Sequence, residues 1–315
     1  GSYLLVLGAV FVLASGITML QVSANPYVTT LGPERTAASR LTLVQSFHSL
    51  GTTIGPYFGA ILIFSTLFAA SDFEILGDIS ARAIVRPYAL LAVILAGIGL
   101  VFSRLEPRQA VTRAPASTGI FHLLVSSPRL VLGVLGIFFY VGAEISIGSF
   151  LVNYLAEENI AGLDHETAGK LVAVYWGCAL IGRFVGAAVL RVIAPNRLLV
   201  IYAVIAAALV TTSISSNGLL AMWSILLVGF FNSILFPTIF ALTIKDFRHE
   251  AQSASGILCL GIVGGAVISQ LQGVLADIVG IQLSFALPVF CYVYIAVYAA
   301  SALGARGRTQ DRPAI

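Results

Sequence analysis

Residues Gln21–Gly59 read QVSANPYVTTLGPERTAASRLTLVQSFHSLGTTIGPYFG, and this stretch decides the fold. It joins two apolar segments of membrane length through a short charged turn around Arg35. Within these segments lie three amide side chains and one imidazole: Gln21, Asn25, Gln45 and His48. Polar groups at lipid depth are costly unless they face a protein interior or a water-filled path. The stretch therefore predicts a membrane transporter.

The composition of the whole chain supports this interpretation. Of its 315 residues, 58% are hydrophobic and 10% are charged, with a mean hydropathy of +0.98. Soluble domains carry about 25% charged residues, so the bilayer must be the solvent for this chain. The net charge of +3 is small. The three cysteines lie in apolar runs without CxxC spacing, which is typical of small core residues: Cys178, Cys259 and Cys291.

Apolar runs of about 20 residues predict an all-α integral membrane fold with nine transmembrane helices. They lie at 3–24, 42–66, 84–103, 129–152, 168–190, 198–214, 219–243, 253–276 and 281–303. Most basic residues fall on one set of alternate loops: Arg35, Arg40, Arg104, Arg108, Arg113, Arg129, Arg191, Arg197, Lys245, Arg248, Arg306, Arg308 and Arg312. By the positive-inside rule that side, including the C-terminus, is predicted to be cytoplasmic.

A weak internal repeat predicts how the chain divides. Pro26 is followed 25 residues later by Gly51, and Pro237 is followed 24 residues later by Gly261. Transporters are often built from repeated halves, so the two copies indicate a six-span repeat. With nine spans, we expect a chain truncated at its N-terminus that lacks three spans. The predicted divisions are residues 1–103, the rest of the N-terminal half; 104–128, a cytoplasmic loop; 129–303, the C-terminal six-helix half; and 304–315, a cytoplasmic tail.

Five motifs resemble a known family. They are ANPYVTTLGPE (Ala24–Glu34), RLTLVQSFHSLG (Arg40–Gly51), YVGAEISIGSFLVNYL (Tyr140–Leu155), IGRFVGAAVLRVIAPNRLL (Ile181–Leu199) and FPTIFALTIK (Phe236–Lys245). They resemble the fucose–galactose–glucose:proton symporter family of the major facilitator superfamily. The resemblance implies that the spans are helices 4–12 of twelve. It also implies a monomer of the bacterial inner membrane that takes up a hexose by alternating access, driven by a cation gradient.

Three positions bear on which branch of the family the chain resembles. Fucose-transporting members carry a carboxylate where this chain has Gln21 and an amide where it has Glu144, and Asn is common where it has His48. The pattern here resembles the glucose/galactose branch. The family's acidic residue of the first helix has no counterpart in this chain, which leaves the coupling residue open.

Glu144 is the carboxylate predicted to lie well inside a span. An ionised Glu at that depth costs several kcal/mol, and protonation removes the charge. We therefore predict proton coupling at Glu144, with sugar hydrogen bonding or a purely structural role as alternatives. Sodium as the coupling ion also stays open.

Helical spacing places candidate sugar contacts on common faces. Gln21 and Asn25 are four residues apart and Gln45 and His48 are three apart, so each pair shares a helix face. Amides both donate and accept hydrogen bonds, as sugar hydroxyls require. Further candidates are Tyr140, Glu144, Asn232 and Phe236. The alternatives are that Asn25 braces the helix before Pro26, that His48 is an interior histidine, and that the aromatic residues are core.

Two small-residue patterns concern helix packing and gating. Gly51, Gly55 and Gly59 are spaced for close helix approach. Gly182-Arg183 and Gly186, followed by Arg191 and Arg197, resemble the superfamily's cytoplasmic gating signature, with positive-inside anchoring as the alternative.

Other function classes find little support in the sequence. It contains no HExxH, GxSxG, CxxC or GxxxxGK[ST] motif, which argues against an enzyme and an ATP-driven pump. A sugar-sensing receptor on the same scaffold is a weaker alternative, because such a receptor usually needs a long cytoplasmic output domain. A drug or metabolite exporter on the same fold is the main alternative. The predicted partners are a sugar, a proton or sodium ion and the lipid bilayer, and we predict no cofactor, metal or nucleic acid.

Overall fold

The structure is a computed structural model that describes residues 3–68, 76–104, 123–124, 126–247 and 250–310. Helices account for nearly all of these residues, and the described ranges contain no strand. A bilayer core offers no water to hydrogen-bond the backbone, and helices satisfy these groups internally. The predicted all-α fold is therefore confirmed.

The helices are numbered here in chain order. They are α1 (Tyr3–Thr30), α2 (Ala37–Phe68), α3 (Leu76–Arg104), α4 (Pro128–Ala156), α5 (His165–Val189), α6 (Pro195–Ser215), α7 (Gly218–Asn232), α8 (Leu235–Ile244), α9 (Ala251–Leu260), α10 (Gly264–Val279), α11 (Ile281–Ser284) and α12 (Ala286–Gln310). Short 3₁₀ turns lie at Glu34–Thr36 and Gly261–Val263.

Seven stretches of the described chain are long and apolar enough to cross a membrane. They are Tyr3–Thr30, Pro128–Ala156, His165–Val189, Pro195–Ser215, Gly218–Ile244, Ala251–Val279 and Ile281–Ser301. Each coincides with a predicted span. The other two predicted spans, 42–66 and 84–103, coincide with α2 and α3, whose crossing of the bilayer stays a prediction. The chain is thus a multi-pass membrane protein.

The chain forms two compact units: Gly1–Phe47 with Ala114–Ile315, and His48–Arg113. In the first unit α4 lies at the centre, packed against α5, α8, α10 and α12. The predicted loop at 104–128 lies largely outside the described residues, and the basic residues Arg108, Arg113, Arg248 and Arg312 lie outside them, whereas residues 304–310 of the predicted tail continue α12. The predicted domain division therefore stays a prediction.

Helix starts follow local chemistry. Pro128 and Pro195 occupy the first turns of α4 and α6, where a missing N–H costs nothing. Asp164 caps α5, and its Oδ1 accepts from the backbone N–H groups of Thr167 and Glu166 at 3.0 Å each. These bonds, that of Thr167 above all, lower the pKa of the Asp164 carboxyl.

Helix crossings in the first unit depend on glycines. A Cβ at Gly229 would meet the Tyr175 carbonyl oxygen, and one at Gly264 would meet the Phe138 carbonyl oxygen. Such close backbone approach is how helices pack in lipid, where no hydrophobic force brings them together. At Gly51 and Gly55, where the sequence predicted the same approach, an added Cβ meets no atom of the described residues within 4 Å. The surroundings of Gly59 lie outside what the structure describes, and the role of the three glycines in close packing stays a prediction.

Candidate functional site

The candidate site is built around an interruption between α7 and α8. Pro237 has no N–H, and its ring clashes with the carbonyl four residues earlier, so a helix breaks there. That carbonyl belongs to Ser233, which lies in the turn between Asn232 and Leu235. Arg183 on α5 donates from Nε to the Ser233 oxygen at 3.4 Å. The side chain of one helix thus satisfies the backbone group that proline left free in another.

Arg183 also faces the carboxylate of Glu144. Its Nη2 lies 3.6 Å from Glu144 Oε1, and the two side chains are only 12% and 10% exposed. Glu144 is held near the middle of α4, the helix at the centre of the first unit. A nearly buried carboxylate is tolerated when an opposite charge lies against it. Sequence reasoning placed these residues in separate roles, and the structure brings them together.

A third bond from Arg183 reaches α2. Its Nη1 donates to the backbone oxygen of Gln45 at 3.4 Å. Arg183 therefore links α2, α4, α5 and the α7–α8 interruption through one side chain. A group with this many acceptors moves only when several helices move, so its predicted gating role is compatible with its contacts and stays a prediction.

Tyrosines enclose the Glu144–Arg183 pair. Tyr140 lies one turn before Glu144 and is almost fully buried, and its hydroxyl lies within electrostatic reach of both charges. Tyr175 donates from its hydroxyl to the backbone oxygen of Glu144 at 3.5 Å. Tyr140 Oη and Glu144 Oε1 are buried and lack a hydrogen-bond partner among the described residues. Glu144 can accept a proton, and Tyr140 Oη and Glu144 Oε1 can each form a hydrogen bond with a further polar group.

Asn232 occupies the last position of α7 and is fully buried. Its Nδ2 donates to Tyr175 Oη at 2.8 Å, and its Oδ1 accepts from Tyr292 Oη at 2.7 Å. Both ends of the amide are thus engaged by protein in this conformation. Its predicted contact with sugar stays a prediction, whereas its bond to α12 through Tyr292 is a structural finding.

Phe236 lies at the start of α8 and is half-buried. Its ring centroid is 6.4 Å from that of Tyr140 and 6.0 Å from that of Phe240. The structure therefore brings Phe236 and Tyr140 together beside Glu144, and their predicted contact with a sugar stays a prediction.

The polar residues of α1 and α2 meet in part. Gln45 donates from Nε2 to Asn25 Oδ1 at 3.4 Å. Asn25 is buried, and its Nδ2 has no partner among the residues described. Gln21 is half-buried, one helical turn before Asn25. His48 lies in the second unit with an exposed side chain.

Gly186 and Gly182 lie on the face of α5 that packs on the interruption. A Cβ at Gly186 would meet Ile234 Cγ2, and one at Gly182 would lie 2.5 Å from the Phe230 oxygen. These glycines let α5 approach closely enough for Arg183 to reach Ser233. The gating role predicted for Gly186 stays a prediction.

Sequence reasoning missed Ser233, Tyr175 and Tyr292. Ser233 carried a usable signal, because any carbonyl four residues before a proline in a helix lacks its normal donor. No sequence signal pairs the two tyrosines with Asn232, since they lie 57 and 60 residues away from it.

Comparison with known proteins identifies the family. A sequence profile described as Major Facilitator Superfamily matches residues 1–269. The chain belongs to this superfamily. The predicted superfamily is thereby confirmed.

The named relatives include glucose/galactose transporters and a fucose symporter. The chain is 49% identical over 297 residues to a glucose/galactose transporter of Brucella abortus, covering 94% of this chain and 71% of that protein. It is 41% identical to a putative glucose/galactose transporter of Helicobacter pylori, covering 95% and 74%. It is 30% identical to the L-fucose-proton symporter of Escherichia coli, covering 95% and 72%.

Solved structures of a related transporter have the same fold as this chain. A crystal structure of the E. coli fucose:proton symporter superposes with a TM-score of 0.85 at 29% identity, covering 96% of this chain and 77% of that one. A second structure of that transporter, in the outward conformation, gives a TM-score of 0.83. The predicted fold and family resemblance are therefore confirmed.

Proposed function

We propose that this transporter takes up a hexose, glucose or galactose, together with a proton by alternating access. The observation that carries the proposal is the nearly buried Glu144–Arg183 pair, a protonatable carboxylate bonded into a helix interruption. Relatives described as glucose/galactose transporters and L-fucose-proton symporters support the same conclusion. Those relatives are transporters rather than enzymes, and none of them favours the exporter alternative.

The coupling step follows from the charges. With Glu144 ionised, Arg183 is held by its attraction to the carboxylate. A proton on Glu144 removes that attraction, and Arg183 then keeps only its bonds to the oxygens of Ser233 and Gln45. The protonated carboxyl group can then donate a hydrogen bond to the oxygen of a sugar hydroxyl. Protonation thus loosens α4 from the interruption and prepares the site for sugar.

The energetics suffice for concentrative uptake. One proton moving down a membrane potential supplies about 2.3 kcal/mol per 100 mV. At about 1.4 kcal/mol per tenfold, this supports roughly a fiftyfold sugar gradient.

The sugar is proposed to lie between the aromatic residues beside Glu144 and the amides of α1 and α2. Tyr140 and Phe236 offer rings, and Asn25 and Gln45 offer donors and acceptors. Gln21, His48 and Asn232 complete the proposed contacts. The uncharged Gln21 favours glucose or galactose over fucose, by the family pattern.

The setting is proposed on the same basis. The protein is a monomer in a bacterial inner membrane, with its C-terminus in the cytoplasm, where the basic loops lie.

Transport of labelled galactose into proteoliposomes tests the proposal. An inward proton gradient in sodium-free buffer is expected to drive accumulation above the external concentration, and unlabelled glucose is expected to compete better than fucose. Accumulation that requires sodium would contradict proton coupling. Failure to carry any of the three sugars would contradict the substrate class.

Replacing Glu144 tests the coupling residue. Glu144→Gln keeps the shape and removes the charge, so we expect gradient-driven accumulation to be lost while exchange of galactose across the membrane persists. Glu158→Gln, at an exposed carboxylate just beyond α4, is the matched control and should accumulate galactose normally. Unchanged accumulation by Glu144→Gln would contradict the assignment.

A further inference from the structure

A cavity away from Glu144 lies at the end of the molecule where basic loops gather. It has a volume of about 420 Å³ and is lined by three segments: residues 34–38, 190–196 and 241–245. These segments are far apart in sequence and belong to one compact unit. Neither Glu144 nor Arg183 lines this cavity, so it is separate from the proposed transport site.

The charge of the cavity wall is strongly positive. Among the described residues, the charged side chains that line it are the cations Arg35, Arg191 and Lys245 and the carboxylate of Glu34. None of the three cations forms an ion pair with another residue that the structure describes. Their neighbour Arg129, in contrast, is paired with Asp246 at 3.1 Å. Three unpaired cations around one cavity create a potential that attracts an anion.

Asn196 adds a side-chain donor at the cavity wall. Its side chain lines the cavity and the residue is only 5% exposed. Its Oδ1 accepts from the backbone N–H of Arg197 at 3.1 Å, while Nδ2 has no hydrogen-bond partner within the described part of the chain. A side-chain amide with an unused N–H donor at a cavity wall can donate to an acceptor that enters the cavity.

The start of α6 also favours the binding of an anion in this cavity. Asn196 is the second residue of this helix of 21 residues, and no side chain caps its N-terminus. The N-terminus of a helix carries a partial positive charge, which favours anions. The cations, the amide and the helix end therefore all favour an anion in the same space.

We propose that this cavity binds the phosphate group of a phosphate-bearing ligand. Three cations and one carboxylate leave a net wall charge that a phosphate dianion neutralises, and the two arginines offer forked donors suited to phosphate oxygens. A volume of about 420 Å³ leaves space for a small attached group. The phosphate belongs either to a soluble phosphoester or to an anionic lipid headgroup.

Thermal unfolding of the purified protein tests the proposal. In an uncharged detergent, inorganic phosphate and glucose 6-phosphate are titrated against sodium chloride of equal ionic strength. In a second arm, nanodiscs of phosphatidylcholine with and without phosphatidylglycerol are compared. A ligand that binds only the folded state raises the melting temperature. A response in the first arm identifies a soluble phosphoester, and a response confined to the second identifies a lipid headgroup.

Substitutions of the cations that line the cavity test whether the phosphate binds there. The double variant Arg191→Gln/Lys245→Gln is expected to weaken binding by about 100-fold, since each charge-assisted bond contributes roughly tenfold. Arg35→Gln, on another segment, should weaken it by about tenfold. Arg197→Gln is the matched control, because Arg197 is exposed at the same helix start without lining the cavity.

The account predicts a saturable response in at least one arm, retained by the control and weakened in both test variants. The absence of a saturable response in both arms would overturn it, as would responses of the same size and midpoint in the wild type and the double variant.

Discussion

Two helices of this transporter contain a proline at corresponding points of the weak sequence repeat, and they respond differently. In α1, Pro26 frees the carbonyl of Val22, which accepts from Ser255 Oγ at 2.9 Å while the helix continues. At Pro237 the helix is interrupted, and the freed Ser233 carbonyl accepts from Arg183 at 3.4 Å. A neutral hydroxyl donates a hydrogen bond to the first carbonyl, and a charged guanidinium donates one to the second.

The surroundings differ as much as the donors. The most apolar windows of Tyr3–Thr30 and Gly218–Ile244 have mean hydropathies of 2.3 and 2.2. Among the residues that the structure describes, none of the first window is buried and 78% of the second is. Hydropathy therefore indicates lipid depth and does not indicate packing. In α1, the carbonyl that Pro26 frees is held by a neutral hydrogen bond from a serine. Between α7 and α8, the carbonyl that Pro237 frees is held by Arg183, which is itself paired with the titratable carboxylate of Glu144.

Removing the charged donor should have the largest effect on stability. Arg183→Gln leaves the nearly buried Glu144 without its counter-charge, and breaking a buried pair in this way costs about 3–5 kcal/mol. We expect a correspondingly lower melting temperature in detergent. The double variant Arg183→Gln/Glu144→Gln should recover most of the loss, because it removes both charges. If the single and double variants were equally unstable, the ion pair would not be what distinguishes this joint.

Matched glycine substitutions test the difference in packing. Gly229→Ala forces a methyl group onto the Tyr175 carbonyl, and overpacking of this kind costs about 1–3 kcal/mol. Gly16→Ala in α1 meets nothing within 4 Å and should be neutral or stabilising by about 0.5–1 kcal/mol, as expected for replacing Gly inside a helix. Unfolding of the two variants in the same detergent measures both effects. Equal destabilisation would remove the contrast between the helices.

A double-mutant cycle tests the neutral joint of α1, where the smallest effect is expected. Ser255→Ala removes the donor to the Val22 carbonyl and should cost about 1 kcal/mol. Pro26→Ala restores a backbone N–H that can bond this carbonyl. Ser255→Ala should therefore cost clearly less in the Pro26→Ala background than alone, as read from thermal unfolding. Additive effects would show that the serine does not compensate for the proline.

Much of the fold could be predicted from the sequence because the bilayer imposes long apolar helices. The span predicted at 168–190 matches His165–Val189, and the one predicted at 129–152 matches Pro128–Ala156. Glu144 was recognisable as a carboxylate inside a span for the same reason. Apolar runs set the lengths and depths of helices, and depth alone singles out a buried charge.

The partners of the site could not be predicted, since they depend on the rotation and register of helices against each other. Arg183 resembled a gating residue near a membrane boundary, and only the crossing of α5 with α4 shows that it faces Glu144. Asn232 resembled a sugar contact, and the packing of α5 and α12 encloses it between Tyr175 and Tyr292. Close approach at Gly182 and Gly186 permits these contacts, and a glycine in a sequence does not indicate which helix it will meet.

The most direct test of the central claim is the number of protons that enter with each galactose. Purified wild type and Glu144→Gln are reconstituted with an internal pH indicator, and galactose is added without an imposed gradient. The account predicts acidification of the lumen with about one proton per sugar for the wild type, and none for Glu144→Gln even though the sugar still enters. The same proton-to-sugar ratio in both proteins would contradict the assignment of coupling to the Glu144–Arg183 pair.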